Sequence, residues 1–169
     1  PDIIMPINYP GEYVLLAKTL RQQRVEFMAS YSVLGGGFNF KFVEEMPQIA
    51  ENMIDVNHWY NPSSASGQAM RTRTEADGKY FTFEVYCAYM SVMFLVDGFE
   101  RAGTTDKEAV NSALSSSTLE VDFMPYGPTK MVNGQNMGSR AVAIQAQKGD
   151  VQIIAPSSYA SAKAIFPRS

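Results

Sequence analysis

The stretch Asp2-Ile3-Ile4-Met5-Pro6-Ile7-Asn8-Tyr9-Pro10-Gly11 decides how the chain begins. Ile3, Ile4, Met5 and Ile7 form a nearly continuous apolar run, which predicts a short buried strand over Asp2 to Ile7. Asn8-Tyr9-Pro10-Gly11 breaks that run with turn chemistry. From Gly11 to Gln23 the period changes. Tyr13, Leu16, Ala17 and Leu20 fall on one helical face, and Lys18, Arg21 and Gln22 on the other, which predicts an amphipathic helix. Val25 to Ala29 is the next expected strand. Strand, helix and strand in this order imply a parallel pair joined by a right-handed crossover.

Downstream, Ser30 to Gly37 reads as a loop closing on Gly35-Gly36-Gly37, and Phe38 to Ala50 as a region with a short helix. Met53 to Trp59 is an expected strand. Gly67 to Gly78 is polar and reads as a solvated helix or loop. Lys79 to Ala102 carries the strongest helical signal. It is apolar on most faces, so it is expected to lie buried between layers. Gly103 stops it. Thr105 and Glu108 have the spacing of a capping box for a helix reaching about Ser115. Leu119 to Met124 is an expected strand. Ser139 to Gln147 alternates, with Val142, Ile144 and Ala146 on one face. Lys148-Gly149-Asp150 turns, and Val151 to Ala155 returns as a hairpin partner. Pro156 to Ser169 reads as a loop-like tail. The pattern is α/β, with few strands for a complete doubly wound sheet.

Composition bounds the function. A 169-residue chain with 46% hydrophobic and 18% charged residues is globular, and a domain of this length buries roughly 70% of its unfolded surface without staples. A net charge of −3 and no dense run of Lys and Arg argue against nucleic acid. One cysteine, Cys87, rules out an internal disulfide and reads as an inert buried thiol. With His58 as the sole histidine, a zinc site of His and Cys is close to excluded. No metal or other cofactor is expected. The apolar stretch from Val85 to Val96 is too short to span a bilayer. The chain opens on Pro1, so its natural start is expected to lie upstream or to have been removed.

The order of pieces resembles a known family. Tyr86-Cys87-Ala88-Tyr89 sits in a long apolar helix ending in Gly98-Phe99-Glu100-Arg101-Ala102-Gly103. Thr104-Thr105-Asp106-Lys107-Glu108-Ala109-Val110 follows, then Val121-Asp122-Phe123. After a polar loop come Val142-Ala143-Ile144-Gln145-Ala146-Gln147-Lys148-Gly149-Asp150 and Ile153-Ile154-Ala155-Pro156, with Phe166-Pro167 near the end. This series resembles the C-terminal half of the branched-chain amino-acid-binding family of periplasmic proteins, the type I solute-binding receptors of ABC transporters. Asp2-Ile3-Ile4, Leu20-Arg21-Gln22-Gln23 and Phe27-Met28 fit the family's second lobe.

The resemblance implies part of a two-lobed type I fold, with parallel sheets flanked by helices and a C-terminal hairpin. Residues 1–62 would end the second lobe. Residues 63–118 would return to the first lobe with the long helix, 119–155 would hold a crossover strand and the hairpin, and 156–169 a tail. It also implies a periplasmic, non-enzymatic receptor that closes over a small solute and delivers it to an ABC permease. The N-terminal half of the same protein would be missing.

Ligand groups in this family come from loops at strand carboxyl ends. Asn8 and Tyr9 follow the first strand, and Tyr9 matches an aromatic lid; an ordinary surface tyrosine is the competing reading. Ser30 and Tyr31 follow the second expected strand. Tyr31 would occupy the position of the acidic residue that pairs with a ligand ammonium. Charge pairing would then be lost, which argues against an α-amino acid and for a solute without an ammonium, such as an aromatic or aliphatic carboxylate or an amide. An amino acid stays among the expected solutes, since Glu44 or Glu45 could supply a charge instead. Phe81 is expected to approach the cleft, whereas Phe83, Tyr86 and His58-Trp59-Tyr60 read as core or hinge packing. Two other functions remain in view. A cytoplasmic ligand sensor of the same fold would lack a signal peptide. An enzyme would have to use Glu120 and Asp122 on one strand face, with no electrophile, metal or cofactor motif to accompany them.

Overall fold

In the computed structural model, residues 2–34 and 42–168 are described; the expected Gly35-Gly36-Gly37 turn lies outside them. The front half begins with strand β1 (Ile3–Ile4), helix α1 (Pro10–Gln22) and strand β2 (Ala29–Val33). Two single turns, α2 (Phe42–Glu45) and α3 (Pro47–Ala50), lead to β3 (Ile54–Asn57) and helix α4 (Ala65–Ala76). Helices α5 (Phe83–Ala102) and α6 (Lys107–Ser115) follow. The chain then makes a minimal hairpin, β4 (Met131–Val132) with β5 (Gln135–Asn136), and a longer one, β6 (Val142–Gln147) with β7 (Asp150–Ala155).

One five-stranded sheet organises these elements in the order β1-β2-β3-β6-β7. The first three strands are parallel, as the strand–helix–strand reading requires. β6 enters antiparallel to β3 and pairs antiparallel with β7. The C-terminal hairpin is therefore an extension of the same sheet that holds β1 to β3.

Local chemistry accounts for the boundaries. Pro10 occupies the first turn of α1, where its missing N–H costs nothing. Tyr13 and Ala17, four residues apart, are buried on the face turned to the core. The helix ends in a Schellman arrangement: the Val25 N–H reaches the Leu20 carbonyl at 2.9 Å and the Arg24 N–H reaches Arg21 at 3.1 Å. Both hairpins turn on two residues with positive φ. Lys148 (56°) and Gly149 (78°) join β6 to β7, and Asn133 (49°) and Gly134 (78°) join β4 to β5. That geometry matches the twist of antiparallel strands. Gly98 lets α6 close on α5, because a Cβ there would meet Leu114 Cδ2 at 2.5 Å.

Several expectations are corrected. β2 lies four residues later than the apolar run Val25–Ala29. The strand Ala-Ser-Tyr-Ser-Val buries Ser30 and Ser32, so apolar content did not mark it. Leu119 to Met124 forms no strand. It is an irregular segment anchored by the Asn61 N–H on the Phe123 carbonyl at 2.7 Å, so Glu120 and Asp122 do not share a strand face. Asp122 instead accepts hydrogen bonds from the Ser66 hydroxyl and backbone N–H in the first turn of α4. The Ser66 hydroxyl holds its carboxyl below the usual range. Asp106, and not Thr105, caps α6, accepting from the Ala109 N–H at 3.0 Å. Helix α5 is not enclosed. Tyr89, Val92, Val96 and Phe99 form an exposed stripe at helical spacing, with Leu95 beside it. α6 covers another side of the helix.

The tail has no regular elements, yet it is strapped down. Gln145, wholly buried in β6, donates to the Ile165 carbonyl at 2.9 Å and accepts from the Ile165 N–H at 2.9 Å. Gln147 donates to the Lys163 carbonyl at 2.9 Å, and the Arg168 N–H reaches the Met28 carbonyl at 2.8 Å.

Two substitutions test this description. Asp106→Ala is expected to lower stability by about 1 kcal/mol in urea unfolding. Thr105→Ala should change it by less than about 0.5 kcal/mol. Gly67→Ala, whose Cβ would sit 2.5 Å from Ser64 Oγ and 2.6 Å from Tyr60 Cδ2, is expected to cost about 2 kcal/mol by overpacking.

Candidate ligand-binding site

The carboxyl ends of β1, β2 and β3 define one end of the sheet. In open α/β sheets this is the end where ligands bind. After β1 the chain runs through Met5, Ile7, Asn8 and Tyr9, all exposed, before α1 begins. Tyr9 is 82% exposed and is the N-cap residue of α1. Its backbone N–H donates to Glu12 Oε2 at 3.0 Å. An aromatic ring, a carboxylate and the positive end of a helix dipole are thus brought within one turn. Glu12 was not among the residues expected here. Its position at the third residue of the helix, where a side chain can reach back to the N-cap, is the signal that could have found it.

The other expected residues separate. Ser30 and Tyr31 are not in a loop; both lie in β2, with Tyr31 beside Ile54 of β3. Neighbouring strand residues face opposite sides of a sheet. Ser30 is buried under α1, with its Oγ 3.4 Å from the Tyr13 hydroxyl, and Tyr31 is half-buried on the opposite face. The carboxyl end of β2 lies beyond Val33, so Tyr31 does not occupy the position expected for the acidic residue. The inference against a ligand ammonium loses its basis with that register.

Beneath the open end is a buried polar network. Asp55 Oδ1 accepts from Ser32 Oγ at 3.0 Å and Asp55 Oδ2 accepts from Asn57 Nδ2 at 3.0 Å. Asn57 Oδ1 in turn accepts the His58 N–H at 2.7 Å. The Tyr13 hydroxyl lies 3.2 Å from Met53 Sδ, and burial pushes its pKa up, so it remains a neutral group. These side chains are satisfied by one another and support the strand ends from below.

Phe81 is elsewhere. It is 6% exposed and packs edge-on against Tyr60, with centroids 5.0 Å apart, and against Trp59 at 5.5 Å. It borders Gly149, Asp150 and Val151 at the start of β7. Because β7 runs parallel to β3, that start lies at the amino end of the parallel strands, opposite Tyr9. Trp59 and Tyr60 are core residues, as expected. Nearby, Arg71 bridges Asp150 at 2.9 Å and Glu75 at 2.7 Å. Burial opposes its charge, but those carboxylates outweigh the penalty and hold the guanidinium protonated. Tyr80 donates to Glu45 at 3.1 Å, and Glu44 also lies here, so neither glutamate faces the Tyr9 end. Burial and then the Glu84 charge push the Cys87 thiol up, which leaves it little thiolate at neutral pH. Among the described residues no group of three or more His, Cys, Asp or Glu is placed to hold a metal ion, and no helix is long and apolar enough to cross a membrane.

The fold recurs in solved structures. A leucine binding protein from Thermotoga maritima superposes with a TM-score of 0.73 at 21% identity, over 92% of this chain and 44% of that one. An ABC-transporter solute binding protein from R. palustris, solved in complex with benzoate, gives 0.75 at 15% identity, over 98% and 46%. An amino acid ABC transporter substrate-binding protein from Pseudomonas fluorescens gives 0.56 at 12%, over 100% and 45%. The chain therefore spans less than half the length of these structures. No curated protein matches it. These likenesses establish a type I periplasmic-binding-protein fold, α/β with a parallel-rich sheet flanked by helices. The periplasmic binding protein family matches residues 1–152, and the chain belongs to that family.

Proposed function

We propose that this chain is part of an extracytoplasmic solute receptor that hands a small organic molecule to an ABC permease without transforming it. The observation that carries the reading is Tyr9, a large ring left 82% exposed at the carboxyl end of β1, on the first turn of α1. An exposed aromatic at that place suits a ligand face. Asn8 adds an amide beside it. Glu12 offers a carboxylate to a ligand ammonium, and the Gly11 N–H at the helix N-terminus suits a ligand carboxylate. Tyr31, half-buried within β2 on the face away from α1, is not included, and Ser30 acts through Tyr13 as support. Phe81, at the far end of the sheet, is not included. An amino acid, or an aromatic or aliphatic carboxylate or amide, fits this chemistry. Closure follows if the ligand also touches a second lobe and so stabilises the closed form.

The second lobe would come from residues outside this chain. The exposed stripe Tyr89, Val92, Val96 and Phe99 on α5 supports that reading, because a contiguous apolar face calls for a cover. The structural neighbours are more than twice as long as this chain, which supports a cover supplied from outside it.

Titration calorimetry on the complete protein with leucine, benzoate and benzamide tests the site. Tyr9→Ala should weaken the bound solute about tenfold, or ~1.4 kcal/mol. It should leave stability within about 0.5 kcal/mol. Unchanged affinity would remove Tyr9 from the site. Glu12→Gln should weaken leucine but not benzoate. The cover on α5 is tested by Val92→Arg, which should cost more than ~2 kcal/mol in the complete protein. A change under about 0.5 kcal/mol would mean the stripe faces water.

A further inference from the structure

A cavity lies at the end of the sheet opposite Tyr9. It measures about 750 Å³, within the range of small-molecule sites. Asp2 before β1, Met28 before β2, Met53 before β3 and the last turn of α1 surround it. The strapped tail closes one side through Pro167 and Arg168.

Part of the wall is apolar, notably Leu20, Phe27, Ile49 and Met53. Three arginines, Arg21, Arg24 and Arg168, also line it, the first two exposed and the third half-buried. Arg168 is fixed in place. Its Nη2 donates to the Ile49 carbonyl at 3.3 Å, and its guanidinium lies 4.6 Å from the Phe27 ring centroid. Arg21 Nη1 donates to the Gln48 carbonyl. Each of these two spends one donor on a carbonyl and keeps the rest of its fork. The ion pairs of the described residues involve Arg71 and Arg101, and none of the three cavity arginines. Asp2 and Glu26 also border the cavity, both exposed, so the wall carries three cations against two anions. Burial lowers the Arg168 pKa, yet a guanidinium stays charged at any physiological pH, so the half-buried charge persists.

Arg24 adds an independent observation. It holds φ at 54° in the left-handed region that closes the Schellman turn of α1. Glycine is the usual residue there, because a Cβ in that conformation crowds the backbone. The arginine accepted at that strained position borders the cavity. Strain kept where a cheaper residue exists points to a use for the side chain.

We propose that this cavity is a second binding site, for a small organic anion. Arg21, Arg24 and Arg168 take its carboxylate or phosphate head, and Phe27 and Met53 take an apolar body. Guanidinium forks match both headgroups, and an apolar body would displace water from the remaining wall. The site does not depend on the solute reading at Tyr9, from which the sheet separates it.

The test is calorimetry on the complete protein with three probes: inorganic phosphate, phenyl phosphate and hexanoate. Phenyl phosphate or hexanoate should bind at least tenfold tighter than inorganic phosphate, and which of them does so assigns the headgroup. Arg24→Asn removes the charge with a residue that tolerates positive φ, and it should weaken that binding at least fivefold. Arg168→Gln should do the same, while Tyr9→Ala should leave it unchanged. The proposal is overturned if neither organic anion outbinds phosphate, or if the affinity survives both arginine variants. It is also overturned if chain preceding Asp2 fills the cavity in a structure of the complete protein.

Discussion

The side-chain amide of Gln145 ties three parts of the molecule together. It sits wholly buried in β6, the strand through which the hairpin joins β3. Its Nε2 donates to the Asn52 carbonyl at 3.1 Å, just before β3, and to Ile165 in the tail. Its Oε1 accepts from Ile165 and from Gln147. A buried amide left without partners would cost about 1–3 kcal/mol, so the tail and the sheet edge are held at positions that satisfy it. The strap is also pinned to β7, where the Ser161 N–H reaches the Ile153 carbonyl at 2.9 Å, and Arg168 is held at its end by its N–H on the Met28 carbonyl.

The two ends of the sheet have different chemistry. At the carboxyl end the strands stop over a satisfied polar network of Ser32, Asp55 and Asn57, and the exposed groups beyond it belong to the start of α1. At the amino end the strands start around a cavity bordered by Arg21, Arg24 and Arg168, with Asp2 and Glu26 also at its edge. The same helix serves both. Its first turn presents Tyr9 and Glu12, and its last turn presents Arg21 and the Schellman residue Arg24. The charges suit the helix dipole at each terminus, acidic at the start and basic at the end.

Legibility varied with how local the controlling physics was. Helix α1, the hairpin turn at Lys148-Gly149 and the stop at Gly103 follow from neighbouring residues, and all were readable. The strand at Ala29–Val33 was not, because Ser30 and Ser32 are buried by hydrogen bonding to Tyr13 and Asp55, which lie far along the chain. Apolar content therefore pointed at Val25–Ala29 instead. The run Leu119–Met124 shows the reverse error. It looks like a strand, yet its backbone carbonyls at Asp122 and Phe123 are used by Asn61. Within the candidate site, Asn8 and Tyr9 were legible because turn and helix-start chemistry are local. Tyr31 was misplaced by the strand shift. Phe81 was misplaced because its position depends on how α4 carries the chain back along the sheet.

The class of fold and the family were legible in the order of a strand–helix–strand unit, a long helix ending at Gly103 and a final hairpin. Period and turn residues act over a few positions, so they survive without knowledge of the whole. That the hairpin extends the same sheet, that α5 keeps an uncovered stripe, and that Arg168 borders the same cavity as Arg21 and Arg24 became visible only in the folded chain. Those outcomes depend on which surfaces meet. Arg21 and Arg168 are far apart along the chain, and only the pairing of β1 with β2 and the strap on Gln145 bring them to the same wall.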